Sequence, residues 1–262
     1  MNIIVSIKQV PDTTEVKINP ETGTLIRDGV PSIINPFDEN AIEAALQLTE
    51  RHGGEVTVIT MGPPQAEQAL REALAMGADR AVLISDRCFA GADTLATSYV
   101  LSQAVRRIGD FDLIFCGKQA FDGDTGQVGP GLAEHLGIPQ ITYAIEIEEL
   151  TDKEVQIKRL LSDGFESVRA PLPCLITAVK QLNEPRMPGL KARMKAKKAE
   201  VETWDCECLS ASQDRCGLDG SPTSVWKVFS PTRHVEGEMI EGETTEEKIH
   251  TLIDKLREAK VL

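Results

Sequence analysis

Residues 112–137 constrain the fold of this chain most, because they have the pattern of a strand, a glycine-rich turn and a helix in succession. A short apolar run bounded by Asp112 and Gly117 suits a strand that is buried on both faces. The segment after the turn has apolar residues at helical spacing, namely Leu132, Ala133 and Leu136. The helix is expected to begin near Gly126 or near Pro130, and proline's preference for a first helical turn favours the later start.

The turn itself, residues 117–129, is the candidate ligand site. Its glycines allow close backbone approach, and free N–H groups at the start of a helix attract phosphate. The glycine spacing matches neither the GxGxxG fingerprint nor a Walker A loop, and a ligand-free connection would explain the glycines alone. The crowding of polar side chains nevertheless favours a nucleotide, with only Phe121 as a large apolar residue among Lys118, Gln119, Asp122, Asp124, Thr125 and Gln127.

Strands and helices alternate before this turn. Apolar patterns predict strands at residues 3–10, 55–61 and 80–85, and helices at 39–52, 63–76 and 92–108, with a β-hairpin at 16–26. This alternation predicts an α/β fold with a doubly wound, mostly parallel sheet. The pattern then changes to four short strands, at 142–150, 154–161, 166–170 and 173–179, which predict an antiparallel extension of that sheet.

The C-terminal part is predicted to be organised differently. A loop at 182–190, with Met187 and Leu190 near its tip, precedes the basic segment 191–198. Such a segment is either a solvated face or a docking surface for a protein partner. After an irregular connection at 205–222, the predicted helix at 244–260 has one apolar stripe, which either packs on the chain's own core or reaches across a partner subunit. We therefore expect an α/β domain over residues 1–204, including the loop 182–198, and a linker with a C-terminal arm over 205–262.

Composition argues against several classes of function. The net charge is −13 and aromatic residues make up 4% of the 262 residues, so nucleic acid and anionic membranes are not expected partners. No run approaches the roughly 18 to 20 apolar residues of a membrane-spanning helix, and the N-terminus lacks a basic-then-apolar signal. A cytoplasmic protein is expected.

The six cysteines do not form a recognisable framework. They are scattered along the chain at Cys88, Cys116, Cys174, Cys206, Cys208 and Cys216. A zinc site built from Cys206, Cys208, Cys216 and His234 would lack the paired CxxC spacing that is typical of structural zinc. No metal site is therefore expected.

Several sequence blocks resemble, in order and spacing, the small (beta) subunit of electron transfer flavoproteins. These blocks are residues 35–38, 73–79, 117–130, and 182–186 followed by 194–198, and the likeness runs along nearly the whole chain. The resemblance implies an adenine nucleotide alpha hydrolase-like fold and a heterodimer with a larger alpha subunit that carries an electron-transferring FAD. It also implies that this subunit holds either AMP or a second FAD, and that it has no catalytic side chain.

The resemblance also implies which residues bind. The nucleotide would be held by Ser6, Asn35, Pro36, Phe37, Asp38, Met61, Gly117, Lys118, Gln119, Ala120, Phe121, Asp122, Gly123, Asp124, Thr125, Gly126, Gln127 and Val128. The loop ending at Leu190 resembles the family's recognition loop for acyl-CoA dehydrogenases, and its docking residues would be Glu184, Arg186, Leu190 and Lys191.

Asp38 and the phrases at 124–130 and 220–225 resemble the electron-bifurcating branch of the family. That branch implies FAD in this subunit, which accepts a hydride from NADH. One electron then passes to the alpha-subunit FAD and the dehydrogenase, and the other to a low-potential acceptor such as ferredoxin. The alternatives are a non-bifurcating beta subunit with structural AMP, and an adenine-nucleotide sensor without a redox role.

Overall fold

A single large sheet with helices on both faces organises the computed structural model, which describes residues 1–12, 31–226 and 237–262. The strands are β1 (Asn2–Ile7), β2 (Gln9–Pro11), β3 (Ser32–Ile34), β4 (Glu55–Met61), β5 (Arg80–Ile84), β6 (Leu113–Gly117), β7 (Gln140–Leu150), β8 (Glu154–Leu160), β9 (Phe165–Pro171), β10 (Cys174–Ala178) and β11 (Glu202–Trp204). The helices are α1 (Pro36–His52), α2 (Glu67–Met76), α3 (Thr94–Ile108), α4 (Val128–Leu136), α5 (Leu190–Ala196) and α6 (Thr245–Glu258).

The strand order of the large sheet is β11-β5-β4-β1-β6-β10-β7-β8-β9. Neighbours from β11 to β7 pair in parallel, whereas β7, β8 and β9 pair antiparallel. This confirms the predicted doubly wound, mostly parallel sheet with an antiparallel extension. The chain moves outward from β1 to β4 and β5, and then returns to place β6 on the other side of β1. The strand order therefore reverses between β1 and β6, and such a switch point is where open α/β sheets bind ligands.

Each face of the sheet has its own core. On one face, Ile3 and Val5 of β1 lie in a cluster with Ile42 of α1 and Leu70 of α2. On the other face, Ile4 belongs to a cluster that includes residues of α3 and α4. Because successive side chains of β1 point to opposite faces and both faces are covered, the strand reads as a continuous apolar run.

Most predicted elements are confirmed, with shifted ends. The first helix begins at Pro36 rather than at residue 39. Proline is tolerated there because N–H groups in a first helical turn have no acceptor within the helix, so the missing N–H of proline breaks no hydrogen bond. The predicted strand at 3–10 is divided into β1 and β2, and β2 pairs with β3 in a separate small sheet. The segment 63–76 begins with a 3-10 turn at Pro64–Ala66 before α2. The predicted hairpin at 16–26 lies outside the described residues.

The strand predicted at 173–179 is not antiparallel to its neighbours. It forms β10, which is inserted in parallel between β6 and β7. All five of its residues are buried, as is typical of a central parallel strand, whereas most side chains of β9 are exposed.

The C-terminal segments differ in how they pack. Residues 205–222 contain no strand or helix beyond a 3-10 turn at Gln213–Arg215, yet Cys206, Leu209 and Cys216 are buried in the second core cluster. Helix α6 has no buried residue, and Ile249 of its apolar stripe is half exposed. Within the described parts of the chain, every helix is too short or too polar to cross a bilayer.

Candidate nucleotide-binding site

Asp38 in the first turn of α1 joins the ends of the two strands at the switch point. Its Oδ2 accepts a hydrogen bond from the backbone N–H of Lys8, just after β1, at 2.7 Å. Its Oδ1 accepts one from the N–H of Gly117, the last residue of β6, at 2.9 Å. A Cβ atom at Gly117 would lie 2.3 Å from this same oxygen, so the close approach requires glycine.

Asp38 is almost inaccessible to solvent, at 5% exposure. Burial raises the pKa of Asp38 to about 7, although hydrogen bonds with the Asn35 side chain and with the two amides act in the opposite direction. This group therefore changes its charge close to neutral pH, at the point where β1 and β6 end.

Asn35, immediately before α1, fixes the start of the glycine-rich loop that follows β6. Its side-chain Nδ2 donates to the carbonyl of Gln119 at 2.9 Å, and its Oδ1 accepts from the N–H of Phe121 at 2.9 Å. Asn35 is 1% exposed, so these two hydrogen bonds satisfy a buried amide. The α1 entry and the loop thus form one unit.

Further contacts hold the loop at both ends. The Nζ of Lys8 forms an ion pair with Oδ1 of Asp122 at 2.6 Å. At the far end, the Thr94 hydroxyl of α3 donates to Oε1 of Gln127 at 2.9 Å. The ammonium of Lys118 lies over two aromatic rings, 5.0 Å from the centroid of Phe37 and 5.5 Å from that of Tyr143.

The second half of the loop presents a row of free backbone donors. Within the described parts of the chain, the N–H groups of residues 125–129 have no hydrogen-bond acceptor. Gly126 has a φ of +64° and Asp124 a φ of +52°, so the backbone turns through conformations that favour glycine or aspartate. The row leads into α4, which begins at Val128, between the two predicted starts. Consecutive amides before a helix N-terminus fit a phosphate or diphosphate group.

The structure brings together most of the predicted binding residues. Asn35, Phe37 and Asp38 contact the loop, and Ala120 accepts a hydrogen bond from the N–H of Asp124. Pro36 is the exposed first residue of α1. Gly123 lies in the exposed turn between Asp122 and Asp124, and Gln119 contacts Asp124 through their side chains.

Ser6 and Met61 lie near the carboxyl ends of β1 and β4, respectively. Ser6 is buried in β1, in register with Ile59 and Cys116. Met61 ends β4 and packs against the second core cluster. Both are at the expected edge of the sheet, but no hydrogen bond links either side chain to the loop within the described residues.

Three residues that contact this unit were not predicted. Lys8 directly follows β1, and its position at the end of a predicted strand could have indicated that it lies near the loop. Tyr143 lies in a strand with a φ of +62°, and Thr94 lies at the start of α3. No local pattern connects these two residues to the loop, because their proximity depends on how the strands and helices are ordered.

The predicted docking loop is fixed at its base and exposed at its tip. The guanidinium of Arg186 pairs with Glu43 and Glu50 of α1, so it serves to hold the loop. Met187 and Leu190 are 85% and 77% exposed, respectively. Glu184 and Lys191 are also exposed.

Comparison with known proteins agrees with this architecture. A model of the electron transfer flavoprotein domain matches residues 22–207. The chain is 49% identical, over the full length of both proteins, to the caffeyl-CoA reductase-Etf complex subunit CarD of Acetobacterium woodii. It is 51% identical, again over both full lengths, to the electron transfer flavoprotein subunit beta of Thermoanaerobacterium thermosaccharolyticum. It is 49% identical to the protein FixA of Azorhizobium caulinodans, over 90% of this chain and 86% of FixA. The chain therefore belongs to the electron transfer flavoprotein family, among its beta subunits.

Proposed function

We propose that this chain binds an adenine dinucleotide at residues 117–128 and forms a cytoplasmic heterodimer with an electron transfer flavoprotein alpha subunit. The observation that carries the proposal is the row of N–H groups at residues 125–129, at the switch point between β1 and β6, for which the described part of the chain supplies no acceptor. Such a row offers several donors to the oxygens of a diphosphate without a charged side chain.

The charges around the loop support binding through the backbone. The chain carries a net charge of −13, and the ammonium of Lys8 is already paired with Asp122. Amides and the N-terminus of α4 would therefore supply most of the positive potential that a diphosphate requires. Lys118 remains close by as an additional cation, because its ammonium lies over two aromatic rings and pairs with no carboxylate among residues 1–12, 31–226 and 237–262.

Within the family, we propose that the bound dinucleotide is FAD. When bound, FAD would supply hydride and single-electron chemistry, with NADH as donor and the alpha-subunit FAD and a ferredoxin-type protein as acceptors. The similarity to the subunit of the caffeyl-CoA reductase-Etf complex supports this reading. The chain's own residues contribute position and electrostatics: Asn35 and Asp38 hold the loop against the strand ends, and the amides hold the phosphates.

Two exposed surfaces are proposed as protein contacts. The tip of the loop at 182–190, with Met187 and Leu190, would dock an acyl-CoA dehydrogenase. The apolar stripe of α6, which no described part of the chain buries, would contact the alpha subunit. An apolar stripe exposed to water is unfavourable, and a partner surface would remove it from water.

The test is to co-express the chain with its alpha subunit, extract the bound ligands and count them by chromatography. Two FAD molecules per heterodimer, with flavin absorbance bleached by NADH, would support the proposal. One FAD with one AMP would instead identify a non-bifurcating subunit. A colourless protein that carries only ATP or AMP would identify a nucleotide sensor without a redox role.

A further inference from the structure

Three cysteines that are far apart in the sequence meet at the second core cluster, which includes two of them. Cys88 lies in the 3-10 turn Arg87–Phe89 that follows β5, and Cys206 and Cys216 lie in the irregular segment after β11. The three Sγ atoms are all within 4.8 Å of one another. Cys206 and Cys216 are 6% and 2% exposed, and Cys88 is half-buried.

The backbone around these cysteines is held in place by specific contacts. Because β11 pairs in parallel with β5, the chain leaves both strands side by side. Asp86 uses one carboxylate oxygen to accept from the N–H of Cys88 at 3.1 Å and the other to accept from the N–H of Cys206 at 3.0 Å. One side chain therefore sets the positions of two of the three thiols.

The approach of Cys216 depends on its neighbour Gly217. This glycine has a φ of +53°, and a Cβ there would lie 2.2 Å from the carbonyl oxygen of Cys88. Only glycine allows both the backbone conformation and this close approach. The third thiol is thus brought to the other two by a glycine that no larger residue could replace without displacing Cys88.

The spacing of the sulfurs fits one metal ion. In a tetrahedral thiolate site the sulfurs lie about 2.3 Å from Zn²⁺, and hence roughly 3.8 Å from one another. A disulfide would use two of the thiols and leave the third without a role. Three converging thiols are typical of a site for a soft, thiophilic cation.

The thiols have little competing stabilisation. The Sγ of Cys206 contacts the carbonyl oxygen of Ala211 at 3.4 Å, and that of Cys216 contacts the carbonyl oxygen of Ser212 at 3.2 Å. These are weak hydrogen bonds. A metal ion that binds the thiols would therefore displace only weak contacts.

We propose that Cys88, Cys206 and Cys216 bind one Zn²⁺ ion, or a cation of the same thiophilic class, and so attach residues 205–222 to the end of β5. Binding replaces three S–H bonds by three S–Zn bonds and releases three protons, without oxidation or reduction. The fourth coordination position is left to water or another small ligand. This ligand set differs from the combination of Cys206, Cys208, Cys216 and His234 whose spacing argued against zinc. Cys208 is exposed, Cys88 takes its place, and His234 lies outside the described residues.

The test uses the reduced, chelator-treated heterodimer and equilibrium dialysis against Zn²⁺. Wild type is expected to bind one Zn²⁺ ion. The affinity of the Cys206→Ser and Cys216→Ser proteins for this ion should be at least tenfold lower. Cys208→Ser is the matched control, because it removes an exposed thiol only two residues from Cys206. If the Cys206→Ser protein binds Zn²⁺ as wild type does, or if wild type binds none that these variants lose, the proposal is overturned.

A spectroscopic measurement on folded protein keeps the test independent of variant stability. Cd²⁺ added to the wild-type heterodimer should produce ultraviolet charge-transfer absorption with the intensity of three thiolates, and the Cys208→Ser protein should give the same intensity. Absorption from one thiolate or none would contradict the proposal. A second outcome would also contradict it. In that outcome two of the three cysteines form a disulfide in the protein as isolated, and Cd²⁺ binds neither to this oxidised form nor to the protein after reduction.

Discussion

Arg186 forms a two-pronged ion pair with Glu43: Nε lies 2.8 Å from Oε2, and Nη2 lies 3.0 Å from Oε1. The backbone N–H of Arg186 also donates to Oε2 of Glu43, at 3.1 Å. Glu43 is 3% exposed, whereas Arg186 is only half-buried. A loop with an exposed apolar tip is therefore anchored to α1 through a buried carboxylate.

Removing this anchor should destabilise the chain. The substitution Arg186→Ala leaves the buried carboxylate of Glu43 without its cation, and we expect a loss of about 1 to 3 kcal/mol in the free energy of unfolding. Chemical denaturation measures it. The control is Glu50→Gln, which removes only the exposed partner of Arg186 and should cost roughly 0 to 1 kcal/mol. Equal losses of unfolding free energy in the two variants would show that the pair with buried Glu43 stabilises the chain no more than the exposed pair with Glu50.

The exposed tip should affect docking without affecting stability. Met187 and Leu190 contribute apolar area that is open to solvent, and the combined substitution Met187→Ser and Leu190→Ser removes it. We expect electron transfer to the acyl-CoA dehydrogenase to slow at least tenfold, with an unchanged unfolding midpoint and an unchanged flavin content. The control is Leu218→Ser, at another exposed leucine outside this loop, which should leave the dehydrogenase reaction unchanged. Normal transfer by the double variant would locate the docking surface elsewhere.

Asp38 should make stability depend on pH. Its pKa is raised from 3.8 to about 7, so the folded state holds the proton more tightly than the unfolded state. Its contribution to stability is therefore complete below pH 3.8 and is lost as the pH rises through about 7. As the pH rises across this range, we expect the unfolding free energy of wild type to fall relative to that of Asp38→Asn.

The contribution of Glu43 to stability should depend on pH in the opposite direction. Burial raises the pKa of Glu43, but hydrogen bonds from Arg186 and Gln47 outweigh burial and the pKa is lowered overall. Its contribution should be present above the ordinary pKa and lost on acidification. Unfolding curves for Asp38→Asn and Glu43→Gln, measured at several pH values, should differ from wild type with opposite slopes. A flat difference for Asp38→Asn would mean that its carboxyl titrates normally.

Sequence patterns predicted the parallel sheet and the loop after β6 because these depend on local features. Buried strands are short and apolar, and glycines mark the turn at residues 117–129. The partners Tyr143 and Thr94, and the convergence of Cys88 on Cys206 and Cys216, could not be predicted in this way. Each depends on which strands are neighbours, and β10 illustrates the difficulty, because its place between β6 and β7 is set by the whole sheet.

Three glycines of the loop allow a direct test of the amide row, since their surroundings differ. Gly126 has a φ of +64°, and a Cβ atom there would lie 3.5 Å from the carbonyl oxygen of Lys118, so Gly126→Val strains the backbone without a severe clash. A Cβ at Gly129 would lie 2.9 Å from both Cys116 Sγ and Thr177 Cγ2. Gly123 has neither a positive φ nor any atom within 4 Å of where its Cβ would be.

These differences predict three distinct outcomes for nucleotide content and stability. Gly126→Val should strip the bound nucleotide while it lowers the unfolding midpoint only slightly, because the strain reorients exposed amides. Gly129→Val should strip the nucleotide and also lower the unfolding midpoint markedly, because its side chain must displace buried strand atoms. Gly123→Val should retain nucleotide and stability. If Gly126→Val keeps its full nucleotide content per folded heterodimer, the amides of residues 125–129 do not bind the phosphates, since no other effect of that substitution would compensate for their reorientation.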